Sequence, residues 1–381
     1  MGLRIAIFSA QYPPHMGGIE TFSRNLATAL AVRGNDVIVV TNDTNGAGVG
    51  FSEEAGFEVL RLPCYPLVDG RLPLPKLGRN RHMFLADLKG KEFDGVLVNA
   101  RFYPHSLLGM KFARNKGLVP MVLDHGSAYL SFSNAFLDPI VQAYEHAITT
   151  IGKIYKPAYY GISQKSVEWL LTFGVNANGV INNSIDAPEY RDCCSARDFR
   201  AELELNEENF IVAFVGRFIP EKGIETIIEA SRRPEIRVRH VVFALAGDGP
   251  MSDIVRAAEG VSLRCLGRLG KEDVSALLQQ SDALCLPTRS EGFSTTLLEA
   301  SACGCPSIVT DVGGAKELIP NEEYGTIISS ASVNDLSSAI VKLADNPVWR
   351  GIQAKNCRKL VEERYSWPST AALVEDALRG I

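Results

Sequence analysis

Short apolar runs alternate with amphipathic stretches along this chain, and the alternation runs twice. Leu3 to Phe8 reads as a buried strand. Gly17 to Arg33 reads as a helix, with Ile19, Phe22, Leu26 and Leu30 at spacings of three and four. Gly34 ends it, and Val37 to Val40 is the next strand. Further strands are expected at 57–62, 95–98, 119–123, 158–162 and 179–181. The rhythm restarts at 210–215 and continues at 241–246, 261–266, 283–286, 307–310 and 325–328. Buried strands joined by helices form parallel sheets, so two such runs predict an α/β chain with two doubly wound, Rossmann-like domains. The break lies between Asn183 and Asp198, where Asn182, Asn183, Ser184, Asp186, Pro188, Asp192 and Ser195 supply linker chemistry. The expected domains are 1–185 and 186–365, with 366–381 as a final helix carrying Ala371, Val374 and Leu378 on one stripe. A length of 381 residues suits two domains. The glycine repeat from Gly46 to Gly50 opens no helix and is expected to be a flexible loop.

Composition excludes several classes. The chain is 46% hydrophobic and 22% charged, as in globular proteins. It has no apolar run long enough to span a bilayer and no signal-peptide pattern after Met1. Cys303 and Cys305 do not have zinc spacing, and the eight cysteines suit a reduced, cytoplasmic protein. Net charge is −5 but uneven. Residues 1–185 carry 17 Lys and Arg against 14 Asp and Glu, whereas the remainder carries 22 against 30. Only the first half is suited to an anionic partner, and nucleic acid is not expected.

The residues for chemistry cluster where strands end. The strand 283–286 runs into Pro287, Glu291, Gly292 and Phe293, and Ser294 opens a helix that carries Thr295, Thr296 and Glu299. Open α/β sheets bind ligands at the carboxyl ends of their strands. A helix N-terminus offers free N–H groups to a phosphate. Carboxylates on either side of that cradle suit a diphosphate between two hydroxyl-bearing sugars. Arg217 and Lys222 follow the strand 210–215, where two cations can clamp a diphosphate and offset charge on a leaving group. Gly17 and Gly18 follow the first strand and let the backbone approach a phosphate or sugar closely. His125 follows the strand 119–123, with Gly126 and Ser127 after it. Each has a plainer reading: a surface glutamate, solvated cations, loop glycines, a structural histidine.

Several motifs tip that balance. The E-x7-E spacing of Glu291 and Glu299, the run Ala302-Cys303-Gly304-Cys305-Pro306 and Asp311-Val312-Gly313-Gly314 resemble the retaining glycosyltransferases of family 4. His15-Met16-Gly17-Gly18-Ile19-Glu20 is similar to that family's glycine loop, Gly216-Arg217 with Lys222-Gly223 to its "GR…KG", and Gly247-Asp248-Gly249-Pro250 to its "GxGP". Several motifs in order over the whole length are far more specific than any one. The resemblance implies a GT-B fold, two Rossmann-like domains facing across a cleft, with the last helix crossing back to the first domain.

It also implies roles. Glu299 would accept the ribose hydroxyls and Glu291 would lie by the sugar. Arg217 and Lys222 would hold the diphosphate, and His125 would contact the transferred sugar. Arg268 and Leu269 would lie on the loop that holds the base through its backbone. The donor would be a nucleoside diphosphate sugar, UDP preferred to GDP on frequency alone. The acceptor would be a sugar or lipid-linked sugar. No Asp-x-Asp occurs, so no metal is expected, and no cofactor. The family's Gly-His after the first helix is Gly34-Asn35 here, its linker Asn-Gly-Val-Asp is Asn183-Ser184-Ile185-Asp186, and Ser294 replaces the usual small residue, which leaves the donor sugar open. A sugar-nucleotide epimerase shares the fold without E-x7-E, a phosphorylase needs a pyridoxal lysine, and a catalytically dead binding subunit would not need Glu291, Glu299, Arg217, Lys222 and His125 intact. Finally, Arg71, Lys76, Arg79, Arg81, Lys89 and Lys91 are interleaved with Leu72, Leu74, Leu77, Met83, Phe84, Leu85 and Leu88. Leu130, Phe132, Phe136, Leu137, Ile140 and Val141 form a second apolar group. Together they suggest peripheral binding to an anionic membrane at its inner face.

Overall fold

The computed structural model describes residues 2–15, 17–68, 70, 72–130 and 136–381. The chain divides into two compact units, Met1–Asn183 with Trp367–Ile381, and Ser184–Ser366.

The first unit is built on strands β1 Arg4–Ser9, β2 Asp36–Asn42, β3 Gly50–Glu54, β4 Phe57–Leu62, a hairpin of β5 Cys64–Leu67 and β6 Leu72–Pro75, then β7 Gly95–Asn99, β8 Met121–Asp124, β9 Ala158–Gly161 and β10 Gly179–Val180. Its main sheet has the order β10-β9-β8-β7-β1-β2-β4-β3. All pairings are parallel except that of β3 with β4. The order reverses between β1 and β7, so the crevice outside the ends of those strands is the ligand position of this topology. β1, β7 and β8 are buried from end to end apart from Arg4, and apolar up to their last residues, Ser9, Asn99 and Asp124, as a sheet covered on both faces requires. Helix Gly18–Val32 covers one face together with helix Trp367–Arg379, against which it packs. Phe8, Val98, Met110, Phe112, Val122 and Tyr159 form the core on a face covered by helix Pro104–Asn115.

The second unit holds β11 Phe210–Val215, β12 Val241–Ala246, β13 Leu263–Gly267, β14 Ala283–Leu286, β15 Ser307–Thr310 and β16 Thr326–Ile328. Their order is β13-β12-β11-β14-β15-β16, and every pair is parallel. The reversal falls between β11 and β14. The loops after those two strands carry Arg217 with Lys222, and Glu291.

One expectation needs correction. Gly50 is not loop: it opens β3, an antiparallel edge strand whose alternation was too polar to read as buried. In the basic, apolar stretch, residues 72–91 hold β6 and helix Arg79–Gly90, and that helix turns Arg81 and Leu88 inward, at 6% and 0% exposure. Arg81 donates to Pro63 O at 3.3 Å, and Lys91 pairs with Glu58 at 2.5 Å. Arg71 and Phe132 lie outside the described residues. No helix among the described residues is long and apolar enough to cross a membrane.

Candidate functional site

In the second unit the two loops at the sheet's reversal are joined by an ion pair between Lys222 Nζ and Glu291 Oε2, both about four-fifths buried. The sequence had assigned these side chains separate tasks; the fold makes them one group. The close fit depends on backbone shape. Gly223 has φ +72°, and a Cβ there would stand 2.3 Å from Pro287 O, so only glycine lets the loop after β11 lie against the end of β14. Further bonds lock the same seam: Arg289 N donates to Glu221 O at 2.8 Å, and Thr288 Oγ1 to Glu221 O at 3.1 Å. On the other side, a Cβ at Gly313 would meet Glu291 O at 2.5 Å. The Asp311–Gly314 run therefore supports the glutamate loop from behind. Arg217 is exposed at the end of β11, with no ion pair among the described residues.

Helix Thr295–Cys303 begins just past Glu291. Ser294 caps it, its hydroxyl accepting from Leu297 N at 3.2 Å. That leaves the backbone N–H groups of Thr295 and Thr296 in the first turn for a ligand. Phe293 is buried, its ring 5.9 Å from that of Tyr365 and close enough to Gly314 that a Cβ there would stand 2.2 Å from it.

Glu299 lies a turn further on, with only part of its surface open. Desolvation pushes its carboxyl up to about 7, against the opposing effects of the Tyr190 hydroxyl and Lys271. Tyr190, on helix Ala187–Asp192, faces the carboxylate without closing a well-formed hydrogen bond. Lys271 is spent on Glu189, at 3.2 Å. A carboxylate that has lost its water without gaining protein donors is ready to accept hydroxyl groups from a ligand. Arg268, exposed, and Leu269 follow β13, three strands from β14.

In the first unit Gly17 caps helix Gly18–Val32, at the carboxyl end of β1. A Cβ on Gly17 would stand 2.3 Å from Glu20 Oε2, and Glu20, 3% exposed, is 2.8 Å from His15 Nδ1. The sequence reading missed this His15–Glu20 contact, although both residues stood in the quoted motif. His125 follows β8. Its Nε2–H donates to Asn99 Oδ1 at 3.3 Å, while Asn99 Nδ2 donates to Ser23 Oγ at 2.8 Å. The ring meets Phe22 edge-on at 4.9 Å, and Phe22 meets Trp367 at 5.6 Å. Burial drives the imidazole's pKa down to about 3, so it is neutral at physiological pH, although a strip of its surface stays accessible. Asn99, at the end of β7, was not foreseen: a lone Asn after a strand carries no pattern.

Residues 195–367 match the family described as Glycosyl transferases group 1. Over 377 residues the chain is 24% identical to a GDP-mannose-dependent monoacylated alpha-(1-6)-phosphatidylinositol monomannoside mannosyltransferase of Corynebacterium glutamicum, covering 95% of this chain and 94% of that one. Among solved structures it resembles a sucrose-phosphate synthase from Thermosynechococcus elongatus, with TM-score 0.77 and 21% identity over 99% and 98% of the two chains. It also resembles the Anabaena protein HepE in complex with UDP-glucose, with TM-score 0.72 and 18% identity over the whole of both chains. The fold is GT-B, and the chain is a glycosyltransferase with a group 1 domain.

Proposed function

We propose that this protein is a retaining, metal-independent glycosyltransferase of family 4 that moves a sugar from a UDP-sugar to an acceptor hydroxyl in surface polysaccharide or glycolipid synthesis. The observation that carries the reading is the Lys222–Glu291 pair, which places a cation and a carboxylate where the two loops of the sheet reversal meet, beside a capped helix N-terminus. The second unit holds the donor. Arg217, Lys222 and the N–H groups of Thr295 and Thr296 take the diphosphate, and no cofactor is needed. Glu299 accepts the ribose hydroxyls, and Arg268 and Leu269 flank the base. Glu291 reads the sugar and stabilises positive charge at its anomeric carbon. The first unit holds the acceptor; Gly17 and Gly18 serve the donor, their backbone approaching its phosphate or sugar, and neutral His125 lies against the transferred sugar.

No side chain stands out as a nucleophile. Reaction on one face, with the leaving phosphate taking the acceptor's proton, fits the groups present. The mannosyltransferase of Corynebacterium glutamicum is GDP-mannose-dependent, whereas HepE binds UDP-glucose. A thermal-shift screen with UDP, GDP, ADP and their sugars, in EDTA, tests the reading. A UDP compound should raise the melting temperature most. No shift with any of them refutes the reading.

A lipid-linked acceptor at an anionic membrane is a smaller proposal. It now rests on Lys76, Arg79 and Lys89, and on exposed Leu77, Met83, Phe136 and Ile140. If the protein fails to sediment with anionic vesicles at low salt, a water-soluble acceptor replaces it.

A further inference from the structure

Beneath the His125 loop lies a group of buried charges to which the reading above gives no task. They converge on Arg101, whose side chain is 1% exposed. Its Nη2 donates to Glu145 Oε2 at 3.0 Å, its Nε lies 3.7 Å from Asp124 Oδ2, and its guanidinium carbon stands 3.7 Å from the centre of the Phe173 ring. The other oxygen of Glu145 accepts from Leu130 N at 2.9 Å. Asp124 immediately precedes His125. One guanidinium therefore grips both ends of segment 124–130, directly at Asp124 and through Glu145 at Leu130, and His125 lies between them.

The backbone delivers Arg101 there by a conformation that residues with a Cβ rarely adopt. Ala100, wholly buried, has φ +62°, and its N–H donates to Leu123 O at 2.8 Å. Side chains two apart on a strand share a face. The left-handed turn at Ala100 separates them. Asn99 goes to Ser23 and His125, and Arg101 goes to Glu145 on helix Leu137–Lys153. As a stabilising device the cluster is poor. Arg101 Nε and Nη1 lack hydrogen-bond partners among the described residues, and the Asp124 carboxylate closes no well-formed hydrogen bond, although the backbone N–H groups of Arg101 and Gly126 face it. Apolar side chains of the same volume would often serve stability as well or better. Buried charge and a strained backbone both oppose folding, and here both act on one loop.

We propose that Arg101 is a positioning residue for glycosyl transfer: it touches no substrate and fixes where His125 stands. This rests on His125 lying against the transferred sugar.

The test compares Arg101→Lys, which keeps the charge but loses the fork, with the neutral set Arg101→Met/Asp124→Asn/Glu145→Gln, which leaves no carboxylate stranded if the single variant misfolds. In both, amide exchange over residues 125–130 should quicken at least tenfold. The dissociation constant for UDP should not move, and kcat on whichever nucleotide sugar is turned over should fall tenfold or more. Because Arg101 acts through His125, adding His125→Ala should cause little further loss. Unchanged exchange at 125–130, full kcat, or losses that multiply would each overturn the inference. Failure of the underlying reading looks different: the wild type transfers from no UDP-, GDP- or ADP-sugar, or His125→Ala keeps full kcat, while the exchange measurement still decides whether Arg101 sets the loop.

Discussion

Replacing Glu299 by Gln should make the free protein more stable and its nucleotide complex weaker. In the folded chain the Glu299 carboxyl is raised from 4.5 to about 7. Each unit corresponds to roughly 1.4 kcal/mol, so ionising this group costs the native state on the order of 3 kcal/mol relative to the unfolded chain. The sign follows from proton counts. Between the two values the native state binds the proton and the unfolded chain does not, so stability is highest below about 4.5 and is lost as pH rises to about 7. A glutamine carries no such penalty. Urea titrations should find the two proteins similar near pH 4.5 and the variant ahead by up to about 3 kcal/mol above pH 7.

Binding should show the opposite effect. A carboxylate taking ribose hydroxyls makes charge-assisted bonds worth about 1.5–3 kcal/mol, so the variant should bind UDP roughly ten- to a hundredfold more weakly at pH 8. Below pH 7 the wild type must release a proton to bind, and its affinity should drop about tenfold per pH unit. The variant's affinity should be flat. Calorimetry in buffers of different ionisation heat measures that proton directly. Equal affinities at pH 8 would show that Glu299 does not hold the ribose. A variant less stable than the wild type above pH 7 would show that desolvation does not govern the group.

The other predictions concern turnover, metal and the final helix. Glu291→Gln should lower kcat at least tenfold while changing UDP affinity less than twofold, as read by steady-state kinetics and calorimetry; an unaltered kcat would remove Glu291 from the chemistry. Activity should survive EDTA, since Arg217 and Lys222 supply the countercharge. Loss of activity restored by magnesium or manganese would refute that. Glu375 is buried and accepts from Arg33 Nε at 2.8 Å and Asn35 Nδ2 at 2.7 Å. These bonds hold its carboxyl below the usual range. Glu375→Ala should therefore destabilise the protein by about 1–3 kcal/mol near neutral pH. The difference should shrink as pH falls below about 4.5, where the wild type loses the charge in any case. A denaturation series against pH checks both.

What the sequence disclosed and what it withheld follow from the range of the forces. Alternating apolar runs are local, and the two parallel sheets were legible from them. The polar edge strand β3 was not, because its pairing with β4 is a property of two segments. At the site, positions along the chain placed Glu291, Lys222 and Arg217 at strand ends, but nothing local could say that Lys222 and Glu291 would meet. The departure at Asn35 is the clearest case. Read alone, it was a histidine lost from a motif. In the fold its Oδ1 accepts from Leu3 N at 2.8 Å, and its Nδ2 donates to Leu30 O and to Glu375, 340 positions away. An asparagine offers an acceptor and a two-proton donor at one place, which a neutral imidazole cannot do from adjacent atoms. Asn35 therefore pins the first strand, the first helix and the final helix at one point. Arg101 was overlooked for the converse reason. Most arginines are solvated, and only the left-handed turn at Ala100, invisible in the letters Asn99-Ala100-Arg101, buries this one under the loop it holds.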